Sequence, residues 1–142
     1  MPLIDTTTDF GKRVQQRLGE ERVIWLTTVG SKSEAPQPNP VWFVPEGPEE
    51  LLIYTVPGTP KLRNISVRPQ VALNFNSTIG GGDVVIFQCE AKIDDNAPAA
   101  RDHAEFMTKY REDIGHLGMT PESFSDQYST PLRVRLTRLR GE

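Results

Sequence analysis

Residues 36–45, PQPNPVWFVP, set the tightest limit on what this chain can fold into. Pro36, Pro38 and Pro40 each lack a backbone N–H, so the run cannot lie in the middle of a sheet. It nevertheless leads straight into VWFV, and its neighbours RVIWLTTVG (22–30) and LLIYTV (51–56) have the same β-branched and aromatic character. The expectation is an extended segment with a free edge that enters a strand. Two explanations fit such an edge equally well. Either proline guards it against pairing with another chain, or its unpaired backbone groups meet a planar heteroaromatic ligand that carries its own donors and acceptors.

The rest of the chain repeats the strand theme. QVALNFN (70–76), VVIFQCEAKI (84–93) and PLRVRLTRLR (131–140) all read as strands. In the last, Leu132, Val134, Leu136 and Leu139 alternate with Arg133, Arg135 and Arg138, with one slip near the end. GSKSEA fits a hairpin turn after 22–30, and PEGPEE a loop before 51–56. Phe10, Val14 and Leu18 recur at four-residue steps after TTTD, which predicts an amphipathic helix over 8–19. A second helix is expected within DDNAPAARDHAEFMTKYREDI, capped at Asp95 or Asn96, with a stripe through Ala100, Ala104, Met107 and the Tyr110 or Arg111 side. A short third one starts at Thr120–Pro121. About six strands and two or three helices predict a mainly β, α+β single domain over 1–142: a closed or partly closed antiparallel barrel with flanking helices.

Composition removes several classes of function. Sixteen Lys and Arg against 19 Asp and Glu give a net charge of −3, with no general attraction for nucleic acid or an anionic membrane. No segment reaches a membrane-spanning length, and the N-terminus lacks the apolar run of a secretory signal. Cys89 is the one cysteine, so no intrachain disulfide forms, and a soluble, cytoplasmic protein is the expectation. His103 and His116 lack partners at metal spacing, so no metal site is expected. Cys89 sits mid-strand and reads as a small buried side chain rather than a nucleophile. GGG at 80–82 is a flexible connection or a close backbone approach to a ligand.

TVPGTPKLRNISVRP (55–69) carries the best candidate chemistry. Thr59 suits an N-cap and Pro60 the first helical position, so a short helix is expected from Pro60 to about Arg68. Leu62 and Ile65 face the core, while Lys61 and Asn64 share another face. Lys61 then lies in the first turn, where a cation opposes the helix dipole. Either the side chain reaches solvent, or an anion such as phosphate sits against it and the first-turn amides. Thr55, at the end of the preceding strand, adds a hydroxyl from the same side.

Taken together, PQPNPVWFV, ELLIYTVPGTPKLRNISVRPQVALNF, GGDVVIFQCEAKI and YSTPLRVRLTRLR resemble the pyridoxamine 5'-phosphate oxidase-like split-barrel flavoproteins. The similarity runs over residues 10–140 and is greatest to the F420-dependent oxidoreductases. It implies a six-stranded split barrel that forms a homodimer with cofactor sites at the interface. It also implies that Thr55 and Lys61 contact the cofactor phosphate, and that Arg63 and Asn64 support the phosphate or an acidic tail. By the same resemblance Gln37, Pro38, Asn39, Pro40 and Val41 border the ring. Gly81, Gly82 and Asp83 complete the pocket from the other subunit. FMN-binding members carry basic residues on the strand matching PNPVWFV, and residues 36–45 here contain no Lys or Arg. This favours the deazaflavin F420, with FMN as the alternative, and makes Lys61, Arg63 and Arg68 a cationic track for the F420 oligoglutamate tail. The implied activity is hydride transfer from reduced F420 to a small unsaturated, quinone-like or tetrapyrrole acceptor. An FMN oxidase or a non-catalytic F420, flavin or haem carrier are the alternatives. No catalytic side chain is identified, because the cofactor carries the chemistry. Trp42 and Phe43 point to opposite faces of their strand, so at most one lines the substrate slot.

Overall fold

The computed structural model describes residues 2–142. Helix α1 (Asp9–Glu20) is capped by Thr8, whose hydroxyl accepts from the Gly11 N–H at 2.9 Å, and it buries Val14 and Leu18. The strands are β1 (Ile24–Val29), β2 (Pro36–Val41), β3 (Val44–Pro45), β4 (Glu50–Thr55), β5 (Gln70–Asn74), β6 (Val85–Ile93) and β7 (Thr130–Gly141). They form one antiparallel sheet in the order β2-β1-β5-β6-β7-β4-β3. Helix α2 (Pro60–Val67) joins β4 to β5, while a 3-10 turn (Ala100–Asp102), α3 (Ala104–His116) and α4 (Pro121–Gln127) lie between β6 and β7.

Seven strands replace the expected six because the proline run and VWFV do not make one strand. The chain breaks at Trp42–Phe43: β2 pairs with β1, and β3 pairs with β4 at the opposite end of the sheet. Two edges joined by two residues lie within about 11 Å of each other, at about 3.6 Å per extended residue. The sheet must therefore curl almost shut. Phe43 enters the interior, fully buried with Leu26, Leu51, Leu73 and Phe87. Burial of a phenylalanine on this scale contributes about 2–3 kcal/mol. Tyr110 of α3 ties down the break: its hydroxyl accepts from the Phe43 N–H at 3.0 Å and lies 2.7 Å from the Arg22 carbonyl oxygen.

The proline run is itself a strand, contrary to the expectation of a mere lead-in. Pro36, Pro38 and Pro40 face Val29, Thr27 and Trp25 of β1. Their spacing of two puts every missing N–H on the same edge, so Gln37, Asn39 and Val41 remain free to complete the ladder with β1. The outer edge of β2 therefore presents carbonyl acceptors without the matching amide donors, unlike the mixed edge foreseen for a ligand.

A second core lies outside the barrel, where Leu52 and Tyr54 of β4 meet Phe106, Met107, Tyr110 and Ile114 of α3 and Phe124 of α4. Because β4 is covered on both faces, it reads as a continuous apolar run. Helix α3 starts later than expected. Pro98 disfavours helix before it, and His103 supplies the cap by accepting the Phe106 N–H on Nδ1. The buried stripe is accordingly Phe106, Met107, Tyr110 and Ile114, and Ala104 is exposed. His103 Nε2 meets Glu46, and the Glu46 carboxylate also pairs with Arg133, which holds Asp94 at 2.7 Å. This network pins the start of α3 to β7 and the β3–β4 connection. The slip near the end of the last strand is a bulge at Thr137, where the β6–β7 register shifts between Gln88 and Cys89.

Candidate functional site

Helix α2 begins where β4 ends, and a cleft of about 320 Å³ opens beside that junction. One wall comes from β4 and α2 (Tyr54, Thr55, Val56, Lys61), another from the end of β2 (Pro40, Val41, Trp42). The insert between β6 and β7 adds Leu117, Phe124 and Tyr128. Trp42 lines this cleft and Phe43 faces the barrel, so the two rings point to opposite sides although both lie in the break between β2 and β3.

Lys61 is the single charged residue of the lining, and no carboxylate pairs with it among the described residues. Burial holds its ammonium below the usual lysine pKa. The first turn of α2 is short of partners too. Pro60 has no N–H, and the Leu62 and Arg63 amides turn back to the Thr59 carbonyl at 3.1 and 3.4 Å. Thr59 occupies the N-cap position but makes no capping bond. Its Oγ1 is the one buried side-chain polar atom without a hydrogen-bond partner among the described residues. An unpaired buried hydroxyl costs about 1–3 kcal/mol. Thr59 is not itself part of the cleft lining, so an anion at this helix end would meet the Lys61 ammonium and amide first and the Thr59 hydroxyl only by reaching one residue further.

The other sequence-derived candidates separate into groups. Thr55 reaches the cleft, but it is 1% exposed and its hydroxyl donates to the Thr130 carbonyl at 2.9 Å. Asn64 does not share a solvent-facing side with Lys61. It is buried at 3% exposure, accepts from the Ser31 N–H at 2.9 Å, and donates to Thr28 Oγ1 at 3.0 Å and Gln37 Oε1 at 2.8 Å. Its amide is thus fully engaged in locking α2 to β1 and β2. Gln37, Arg63 and Asn64 line a neighbouring hollow of about 300 Å³ with Gly30, Ser31, Lys32, Ser33 and Pro60. Arg63 there donates to the Gly58 carbonyl at 2.7 Å, while Arg68 donates to the Gly30 carbonyl at 3.0 Å and pairs with Glu34. Pro60 and Lys61 stand between the two depressions. Pro38 and Asn39 are exposed on β2.

Gly81, Gly82 and Asp83 lie in the β5–β6 connection, outside the lining of either depression in a single subunit. Asp83 pairs with Arg13 at 2.7 Å and Arg17 at 3.3 Å, which fastens the connection to α1. Sequence reasoning assigned Thr59 as an ordinary cap and did not single out Lys32 or Tyr128. The Thr-Pro signature marks a helix start correctly but says nothing about where the hydroxyl points.

A ladder of rings forms the far wall. Trp42 stacks on Tyr110 (4.6 Å, 2°) and on Phe124 (5.5 Å, 19°), and Phe124 stacks on Tyr128 (4.4 Å, 14°). Burial pushes the Tyr54 phenol up to about 12, and its hydroxyl donates to the Pro98 carbonyl at 2.7 Å. Burial likewise pushes the Cys89 thiol up to about 12, which leaves it protonated and unreactive at neutral pH. Among the described residues no group of three or more His, Cys, Asp or Glu is placed to hold a metal ion, and no helix is long and apolar enough to cross a membrane. The cleft thus combines an electropositive, donor-rich end with an aromatic wall, an arrangement that suits a planar ligand bearing an anionic arm.

Solved structures share this fold. An F420 reductase superposes with a TM-score of 0.68 at 20% identity, covering 90% of this chain and 96% of its own. The haem storage protein HutZ from Vibrio cholerae gives 0.62 at 16% identity, covering 94% and 93%. An FAD-binding protein from Mesorhizobium loti gives 0.64 at 13%, covering 90% and 88%. At these identities the likeness is one of fold. No curated protein matches the sequence with significance. The family model of pyridoxamine 5'-phosphate oxidase, however, matches residues 10–141, the whole sheet and both helical connections. The chain belongs to the pyridoxamine 5'-phosphate oxidase family.

Proposed function

We propose that this protein is an F420-dependent oxidoreductase that works as a homodimer and passes hydride to a small unsaturated acceptor. The observation that carries the reading is Lys61, the one charged residue lining the cleft, at a helix start whose N-cap hydroxyl, on Thr59, has no partner. These groups fit a phosphate. The neighbouring hollow, with Lys32 and Arg63 on its rim, fits the acidic tail of F420. Residues 36–45 contain no cation that would draw a second phosphate or a flavin-type anion to the ring edge. The fold shared with an F420 reductase agrees with this choice.

When bound and reduced, F420 supplies a hydride from C5 of its ring. The chain's own residues bind, orient and exclude water. Lys61 would hold the phosphate, with the Thr59 hydroxyl behind it, while Asn64 keeps α2 fixed against β1, β2 and the turn between them through three hydrogen bonds. The carbonyl-lined outer edge of β2 offers acceptors to ring N–H donors. Trp42, Phe124 and Tyr128 keep the acceptor side apolar. In the proposed dimer, Gly81, Gly82 and Asp83 reach the site of the partner.

The test is a titration of the purified protein with F420 and with FMN, followed by reduced F420 plus a panel of quinones, enones and nitroaromatics. Tighter binding of F420 and acceptor-dependent oxidation are expected. Tighter binding of FMN would replace the reading with an FMN oxidase. F420 binding without turnover over the whole panel would replace it with a carrier.

A further inference from the structure

The chain has three tyrosines, and their hydroxyls have different fates. Tyr54 donates to the Pro98 carbonyl at 2.7 Å, inside the second core. Tyr110 is fully buried and serves the Arg22 and Phe43 backbone. Tyr128 lines the cleft, and its hydroxyl has no hydrogen-bond partner among the described residues. Its ring is the last of the Tyr110–Trp42–Phe124–Tyr128 ladder, and no further ring covers it among the described residues.

Tyr128 is also held firmly. It is the C-cap of α4, with its N–H donating to the Phe124 carbonyl at 2.8 Å. Helix α4 starts at a reciprocal capping box between Thr120 and Ser123. Ser125 Oγ accepts the Arg101 N–H at 3.2 Å, which ties α4 to the 3-10 turn. Helix α4 thus presents to the cleft a half-buried ring whose O–H has no partner among the described residues, beside Leu117, which also lines the cleft and is 56% exposed.

We propose that Tyr128 is the specificity-determining residue for the acceptor: its ring extends the stack onto a planar acceptor and its hydroxyl donates to an acceptor carbonyl oxygen. The inference rests on the cofactor reading above and deepens it. It selects neutral, flat, conjugated carbonyl compounds of the quinone type. Lys61, the one charge in the lining, belongs to the phosphate end, which leaves the acceptor end uncharged. An aliphatic acceptor forgoes the stack, and a carbonyl-free ring forgoes the hydrogen bond.

The experiment titrates purified protein with 2-methyl-1,4-naphthoquinone and with 2-methylnaphthalene, reading quenching of tryptophan fluorescence, for wild type, Tyr128→Phe and Tyr128→Leu. F420 affinity is measured on the same samples. Tyr128→Phe is expected to bind the quinone about five- to tenfold more weakly and the hydrocarbon as before. Tyr128→Leu is expected to weaken both, and F420 affinity is expected to hold in all three. The proposal is overturned if wild type shows no saturable quinone binding, if Tyr128→Phe binds quinone within about twofold of wild type, or if Tyr128→Phe weakens both probes alike. Failure of wild type to bind F420 or FMN, with the Tyr128 pattern intact, would remove the cofactor reading and leave the quinone site standing.

Discussion

Two helices in this chain begin with the same dipeptide, Thr-Pro, and end up with opposite hydrogen-bond states. At α4, the Thr120 hydroxyl accepts the Ser123 N–H at 3.0 Å and the Thr120 N–H donates to the Ser123 hydroxyl at 2.9 Å. At α2, the Thr59 hydroxyl is buried and meets nothing. Residue 62 stands where Ser123 stands in α4; it is leucine, with no side chain to accept from the Thr59 N–H, and its own N–H goes to the Thr59 carbonyl at 3.1 Å instead of the hydroxyl. The lysines nearby differ in the same sense. Lys109 of α3 donates to the Phe43 carbonyl at 2.8 Å and lies over the Phe43 ring at 3.7 Å. Lys61 has no such partner. Helix α4 is finished for stability, whereas α2 starts with an unanswered hydroxyl two residues before Lys61, which lines the cleft. Open donors at a helix start are tolerable where a ligand completes them.

The comparison is broken most forcefully at Lys61. Lys61→Ala is expected to weaken F420 binding by about 1.5–3 kcal/mol, because it removes a charge-assisted contact in a partly dry site. The thermal midpoint should hold, since no ion pair is lost. Isothermal titration at low salt and a melting curve check both halves, and an unchanged dissociation constant would take Lys61 out of the site. The pH dependence follows from the same burial. The folded-state pKa of Lys61 lies below its unfolded value, so the free protein gains stability as pH rises from the lowered pKa toward the ordinary lysine value. A bound phosphate favours the ammonium and raises that pKa. Binding therefore takes up protons, and F420 affinity should fall as pH climbs through the lowered value. A flat profile in wild type would place the lysine away from the anion.

Thr120→Ala tests the other half. Loss of a reciprocal cap is expected to cost about 1 kcal/mol of stability by denaturant unfolding, with F420 affinity unchanged. Quinone affinity should drop with it only if α4 frays as far as Tyr128.

Much of this architecture is legible in the sequence because it depends on periodicity. The alternation in PLRVRLTRLR gave β7 its inward Leu132, Val134 and Leu136, and even its slip marked the Thr137 bulge. The four-residue steps of Phe10, Val14 and Leu18 located α1. The proline spacing foretold an extended segment with a free edge, but neither that the run is itself a strand nor the break after Val41, because VWFV reads as one continuous strand until barrel curvature is considered. Ala104 was placed in the α3 stripe by running one helix through Ala100; α3 instead begins at Ala104, which is exposed in its first turn, and the buried face runs through Phe106, Met107, Tyr110 and Ile114. The site was legible only in part. Lys61 follows from the helix dipole, whereas Asn64 is withdrawn from the surface by Thr28, Ser31 and Gln37, which are distant in sequence. Tyr128 owes its role to the ring stack across α4 and the β2–β3 break, a contact that no local pattern encodes.

The smallest effect is expected at Thr59, and it discriminates best. Valine keeps the shape and the β-branch while deleting the hydroxyl. In an ordinary cap the change would destabilise the helix by about 1 kcal/mol, as at Thr120. Here no capping bond exists to be lost, and a buried unpaired oxygen disappears. Thr59→Val should therefore leave stability unchanged or raise it by up to about 1 kcal/mol. If the hydroxyl awaits a phosphate, F420 affinity falls by about 0.5–1 kcal/mol at the same time, the size of one neutral donor's net contribution. Opposite signs for folding and binding are what a donor held in reserve for a ligand requires. A loss of stability without loss of affinity would show that Thr59 caps α2 in solution, and the contrast between the two Thr-Pro starts would vanish.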